Sequence, residues 1–337
     1  MIIISDCLTG KIDEGCLKVA NSLTKRIKQN SPNTTIISYD RKPEYSDKHF
    51  RLNKLFLNKK LIKIVREKKE PVLYIPFASN TMGSCLRIFV LSLFSGKSVN
   101  VLFALRFPMK SFGKTLLKLS KGKVIALSEA SYLFYKDIVG NRAVYLKAGI
   151  DMEKFVPVTL EEKNALKRKY KIPEKKKVVL HVGHLKSGRN VDKLTYIRDE
   201  YQVVLVVSSV TEKDMILQRQ LKERNNVTII SSYLKNIQEV YQMADVYLFP
   251  VQKEENCIDI PLSVLEAAAC NLPVVTTEYG ELKAFKGCKG FLFIDNLSRN
   301  SLNRAIDVMI SKDLTESREA VSEYDWKQAI ETLQAIL

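Results

Sequence analysis

Two consecutive series of alternating strand and helix signals predict an α/β protein of two doubly wound, parallel-sheet domains. Three observations carry that expectation. Short runs rich in Val, Ile and Tyr recur, and most are followed by a segment with apolar residues at helical spacing. The alternation pauses after residue 143 and starts afresh at Lys176. The 337 residues suffice for two domains at roughly 100–200 residues each.

The first series opens with a strand at 1–5 and a helix at Glu14–Gln29, which places Leu17, Ala20, Leu23 and Ile27 on one face. Residues 34–39 read as a second strand, and Phe50–Glu70 as a helix alternating apolar and basic positions. A strand at 71–77, a helix at Gly83–Ser95, a strand at 98–105 and another at Lys123–Leu127 complete it. The second series has strands within 176–183, 201–209, 226–232, 245–250 and 273–277. Repeated β-α alternation argues for parallel pairing with helices on both faces. Residues 144–177 form the natural boundary, so the expected domains are 1–150 and 151–323.

Within the second series, Asp245–Gly280 is the most informative stretch. An apolar strand leads through an acidic loop to a helix opening at Pro261, where a missing N–H costs nothing. Asn271 sits where a helix end favours a residue tolerant of left-handed φ, and Pro273 forbids continuation. Glu266 is the lone charge among Val264, Leu265, Ala267, Ala268 and Ala269. A carboxylate so placed requires a partner.

Charge is distributed unevenly. Residues 1–150 hold 27 Lys and Arg against 10 Asp and Glu, which accounts for the whole net charge of +17. Residues 151–337 hold the remaining 27 basic and 27 acidic side chains and are neutral. That asymmetry suggests an anionic partner surface, although a solubilising charge would look the same. The six cysteines show no paired spacing and read as reduced thiols of a cytoplasmic protein. MIIISDCLTG lacks the layout of a signal peptide, and Leu86–Leu105 is too interrupted by Arg87, Gly96 and Lys97 to span a bilayer.

Four blocks resemble a known family. LKAGIDMEKFVPV (146–158), VLHVGHLKSGRNVDKL (179–194), EVYQMADVYLFP (239–250) and IPLSVLEAAACNLPVVTTEYGEL (260–282) are similar, in order and spacing, to family 4-type glycosyltransferases. The resemblance implies the GT-B fold, in which two Rossmann-like domains face each other across a cleft. The donor would bind 151–323, and the terminal helix, Tyr324–Leu337, would return to the acceptor-side domain. It also implies retaining transfer of a hexosyl-type group from a nucleotide-diphosphate sugar to an acceptor hydroxyl, with no cofactor and no metal. The acceptor would be a glycolipid, a polysaccharide or a cell-envelope glycan precursor.

Site residues follow by resemblance, one by one. Glu266 matches the second glutamate of the family's two-glutamate motif and would bind the ribose hydroxyls. Ile258 stands where the first glutamate belongs, so Asp259, or Glu255 in the same loop, would contact the sugar. Backbone at Ile260, Pro261 and Leu262 would hold donor groups at a helix N-terminus. Gly183 would let the diphosphate approach. His184 stands where the family has Arg, and Arg189 where it has Lys; with Lys186 they would neutralise the leaving diphosphate. Gly10, Lys11 and Gly15 would form the acceptor-side loop near the phosphates, with Arg106, Ser128 and Glu129 further along that domain. Glu129 reads equally as a helix-terminal charge. His181 and His184 would make a poor zinc site.

The basic segments 59–69 and 107–123 suit docking on an anionic cytoplasmic leaflet. In the second, Phe107, Met109, Phe112, Leu116, Leu117 and Leu119 intersperse five lysines, a pattern that an ordinary core-facing helix shares. Ile258 and His184 keep open a catalytically degenerate partner or nucleotide-sugar-binding subunit. Charge alone supports a nucleic-acid reader, and no motif accompanies it.

Overall fold

The computed structural model describes residues 1–8, 14–39, 43–51, 58–186, 188–208, 211, 213–253, 258–311 and 316–337. The chain divides into two compact units. Met1–Gly149 with Trp326–Leu337 form the first, and Ile150–Asp325 the second.

The first unit runs β1 (Ile2–Ser5), α1 (Gly15–Asn30), β2 (Thr35–Tyr39), β3 (Lys48–Phe50), α2 (Lys59–Lys68), β4 (Val72–Ile75) and α3 (Met82–Phe94). It continues with β5 (Val99–Phe103), α4 (Ser111–Leu119), β6 (Val124–Ala126), α5 (Glu129–Val139) and β7 (Ala143–Tyr145). Among the described residues its seven strands are ordered β3-β2-β1-β4-β5-β6-β7. Every pair is parallel. β1 and β2 are buried throughout, as strands covered on both faces must be, which is why they read as unbroken apolar runs.

The expected helix over Phe50–Glu70 is corrected in its first part. Phe50 closes the short edge strand β3, and α2 begins only after Asn58, whose side chain accepts the amides of Lys60 and Leu61. Asp47 holds that edge by accepting Ile36 N–H at 2.7 Å and pairing with Lys28 at 3.1 Å. The 107–123 segment is also refined. Its helix is α4, which buries Leu116 and Leu117 and leaves Phe112 and Leu119 exposed. The C-terminal helix spans Trp326–Ile336, with Tyr324 in the turn before it. It packs on α1, and its last turn is capped by Lys123 Nζ, which donates to Ile336 O at 2.8 Å. Gly149 has no room for a side chain, since a Cβ would lie 2.4 Å from the Trp326 ring.

The second unit runs α6 (Leu160–Lys169), β8 (Val178–Gly183), β9 (Gln202–Val207), α7 (Met215–Lys222), β10 (Val227–Ile230) and α8 (Gln238–Gln242). It continues with β11 (Val246–Phe249), α9 (Leu262–Ala269), β12 (Val274–Thr276), β13 (Phe291–Phe293), α10 (Arg299–Ile310) and α11 (Ser317–Ala320). Its strand order, β10-β9-β8-β11-β12-β13, repeats that of the first unit, again with parallel pairs. Two doubly wound parallel sheets of this order match the two Rossmann-like domains expected from the sequence.

One carboxylate ties the start of β11 to β8 and α6. Asp245 accepts Val178 N–H at 2.8 Å and pairs with Lys163 (2.8 Å), Lys167 (3.3 Å) and Lys177 (3.4 Å). Burial raises its proton affinity, but the Lys163 charge and hydrogen bond and the Val178 amide outweigh that, holding it below the ordinary range. The stability it contributes is therefore present above the unfolded-state value and lost as pH falls through the lower folded one. Asp245→Asn should cost about 3 kcal/mol, because it strands the buried Lys167 ammonium. Urea unfolding at neutral pH checks this, with a shifted midpoint and an unchanged slope as the expected result.

Candidate functional site

In a doubly wound sheet, ligands bind outside the carboxyl ends of the two central strands, where the crossovers diverge. In the second unit that place is the ends of β8 and β11. β11 continues through Pro250 and Val251 towards Asp259 and then α9. Pro261 is the N-cap of α9, one residue before the helix begins, with its carbonyl accepting Val264 N–H at 3.0 Å. At the other end, Asn271 adopts φ +56° and Arg318 donates to the Ala269 carbonyl. The loop entering α9 is fixed from below: Glu281 N–H donates to Asp259 O at 2.9 Å. Gly280, at φ +48°, passes so close that a Cβ would lie 2.2 Å from that oxygen.

Glu266 is buried in the second turn of α9, and Tyr241 of α8 donates to its carboxylate at 2.7 Å. Burial, reinforced by the Glu266 charge, pushes the Tyr241 hydroxyl well above its ordinary range, so it remains a proton donor. One partner of the carboxylate is thus a neutral hydroxyl, the kind of group a carboxylate can accept from more than once.

A second cluster forms at the end of β8. His181 is fully buried between Tyr247 and Phe249, and its Nδ1 lies 2.8 Å from Leu248 O. A carbonyl can only accept, so the ring proton sits on Nδ1 and Nε2 carries the lone pair. Burial pushes its pKa down to about 4, with the Arg189 charge acting in the same direction. Nε2 has no hydrogen-bond partner among the described residues. A Cβ on Gly183 would lie 2.9 Å from this nitrogen and 3.3 Å from Arg189 Nη1, so imidazole and guanidinium flank one small gap. Arg189 is half-buried, and its guanidinium makes no ion pair or hydrogen bond with any described residue. The loop is pinned by Asn190, which donates to Pro250 O at 2.9 Å and Gln252 Oε1 at 3.1 Å. Lys186 is exposed on the same loop and His184 half-buried.

The structure therefore brings Gly183 and Arg189 together, and it places Asp259, Ile260, Pro261, Leu262 and Glu266 along one loop and helix. Sequence reasoning missed His181 as a site residue and Tyr241 altogether; each sits in a run that reads as core. Gly10, Lys11 and Glu255 lie outside the described residues. Gly15 opens α1. In the first unit, Arg106 donates to Ala130 O at 2.9 Å and lies over the Phe134 ring, while Ser128 caps α5 by accepting Ser131 N–H at 3.1 Å. Glu129 is exposed in that first turn. These three surround one helix start. Asp6, at the end of β1, was not anticipated; it accepts Phe77 N–H at 2.6 Å and pairs with Arg87 at 3.5 Å. No group of three or more His, Cys, Asp or Glu placed to hold a metal occurs among the described residues.

The family model described as glycosyl transferases group 1 matches residues 162–328. The second unit is a group 1 glycosyl transferase domain. No curated protein matches the sequence. Solved structures are similar over the whole length at low identity. A glycosyltransferase from Rickettsia africae ESF-5 is 14% identical with a TM-score of 0.79, over 99% of this chain and 97% of that one. Anabaena HepE, in complex with UDP and glucose, is 14% identical with a TM-score of 0.77, over 99% and 98%. WaaG, a glycosyltransferase involved in lipopolysaccharide biosynthesis, is 13% identical with a TM-score of 0.69, over 100% and 99%.

The buried imidazole of the glycosyl transferase domain has a measurable signature. Its folded pKa of about 4 lies below the ordinary 6.5, so the unfolded chain binds the proton more tightly. Stability should be full above pH 6.5 and fall by about 3 kcal/mol as pH drops towards 4. His181→Phe should remove that part of the slope in denaturant titrations across this window, leaving the steeper loss at lower pH.

Proposed function

We propose that this protein transfers a hexosyl-type group from a nucleoside-diphosphate sugar to an acceptor hydroxyl, with retention at the sugar carbon. The observation that carries this reading is Glu266. It is a buried carboxylate in a group 1 domain, hydrogen-bonded by a neutral tyrosine, and a carboxylate can accept from two vicinal ribose hydroxyls. HepE, captured with UDP and with UDP-glucose, supports the donor class.

In this reading Arg189 grips the diphosphate bidentately, and Lys186 and His184 add to its neutralisation. The amides of Ile260 and Leu262 and the N-terminus of α9 favour negative charge in the same region. Charge develops on the leaving diphosphate as the bond to the sugar breaks, and these preorganised groups stabilise it without a metal. The diphosphate oxygen then takes the acceptor proton as the new bond forms on the same face. Asp259, with Glu255 as the alternative, holds a sugar hydroxyl.

The acceptor is a cell-envelope glycan or a lipid-linked precursor, presented to the first unit at the cytoplasmic leaflet. WaaG's involvement in lipopolysaccharide biosynthesis supports that class. So do Phe107, Phe112 and Leu119, exposed on or beside α4 among the exposed Lys110, Lys118 and Lys121. No helix among the described residues is long and apolar enough to cross a membrane. Ile258, standing where a sugar-binding carboxylate belongs, favours a second reading: a nucleotide-sugar-binding subunit without turnover.

A thermal-shift panel of UDP, GDP, ADP and CMP and their sugars tests the donor site. One nucleoside diphosphate should stabilise the protein by about 2–3 kcal/mol at a hundredfold excess over Kd, and Glu266→Gln should abolish most of that gain. Binding with no sugar transfer to any lipid-linked acceptor would favour the second reading, and no binding would overturn both. Flotation with anionic vesicles, weakened by replacing Lys110, Lys118 and Lys121 with Glu and by 0.5 M salt, tests the membrane surface. Equal flotation with neutral vesicles would count against it.

A further inference from the structure

The neutral lone pair of His181 is a feature of the β8 turn that the reading above leaves unused. Leaving a buried acceptor unsatisfied costs its full desolvation penalty. Packing does not require it, because phenylalanine would fill the space between Tyr247 and Phe249 without any polar atom. The acceptor is also kept reachable. Gly183 has no Cβ, and any side chain there would meet Nε2 at 2.9 Å and close the gap towards Arg189. On the far side stands a guanidinium with five donors and no acceptor among the described residues.

We propose that His181 is a positioning residue for Arg189: when a diphosphate enters the β8 turn, Nε2 accepts one guanidinium N–H and fixes the remaining fork on the anion. Leu248 O, holding Nδ1–H, sets the tautomer that makes this possible. The effect is on orientation. An arginine on a loop must give up several rotatable bonds to bind bidentately, and a fixed acceptor on one edge lowers that entropic cost. His181 itself need not touch the ligand. The inference rests on the donor site proposed above and names how its principal cation is aimed.

A double-mutant cycle tests it, with isothermal titration of UDP and inorganic pyrophosphate into wild type, His181→Phe, Arg189→Ala and the double variant. His181→Phe should weaken both ligands about tenfold, and the double variant should bind no more weakly than Arg189→Ala alone. His181→Gln, which keeps an acceptor near the position of Nε2, should recover most of the affinity. Unchanged affinity in His181→Phe, or full additivity with Arg189→Ala, overturns the proposal while leaving the donor site standing. Wild type that binds neither UDP nor pyrophosphate removes the donor site and the proposal with it. Nitrogen NMR of the wild-type ring needs no variant to fold. The Nε2 signal should move towards the hydrogen-bonded range on adding pyrophosphate, and an unmoved signal in a protein that binds it overturns the proposal.

Discussion

The carboxylate of Asp245 accepts the Val178 amide and gathers three lysines at the point where β11 begins beside β8. That contact starts the register Val246↔Val179, Tyr247↔Leu180, on which everything at the other end of these strands depends. One slipped residue would turn His181 out of the core and present its neighbour to Leu248. The imidazole, the bare Cα of Gly183 and the Asn190–Pro250 tether are consequences of a pairing anchored several residues away. A charged group thus serves placement more than net stability. A buried ion cluster often does no better than an apolar replacement in energy, but it tolerates far fewer alternatives.

The chemistry differs between the two units although the strand order repeats. In the second, cations find acids: Lys169 meets Glu239, Arg198 meets Asp307, Arg224 meets Asp199 and Lys289 meets Glu316. Against that background Arg189, half-buried and unpaired among the described residues, is conspicuous. In the first unit the acids are too few for such pairing, and basic side chains such as Lys59, Lys60 and Lys110 stand in solvent. Its field is therefore long-ranged and positive, suited to drawing an anionic surface or substrate.

Much of this was legible in the sequence, for identifiable reasons. Strands buried on both faces announce themselves as apolar runs, so β1, β2, β8, β9 and β11 were plain. Glu266 stood out as a lone charge in an alanine-rich helix, and Asn271 before a proline marked a left-handed helix end. Other elements left no local trace. β7 and β13 are short strands of three residues each, and β3 reads Lys-His-Phe because it lies on an edge. It persists through pairing with β2, which is a property of the partner strand. The sequence offers His181 only as a metal ligand, since nothing in VVLHVG shows which ring nitrogen a carbonyl on another strand will claim. Tyr241 was hidden likewise, because its role is set by a residue one helix away.

The division of the chain carries a consequence for the order of events during synthesis. The second unit is one uninterrupted stretch, Ile150–Asp325, whereas the first combines two separate segments, Met1–Gly149 and Trp326–Leu337. A ribosome therefore delivers all of the second unit before it delivers the helix that covers α1. Until Trp326 arrives over Gly149, α1 waits without the helix that packs on it. The unit begun earlier is thus finished later, and a chaperone holding this nascent chain would find its client in that earlier-made unit.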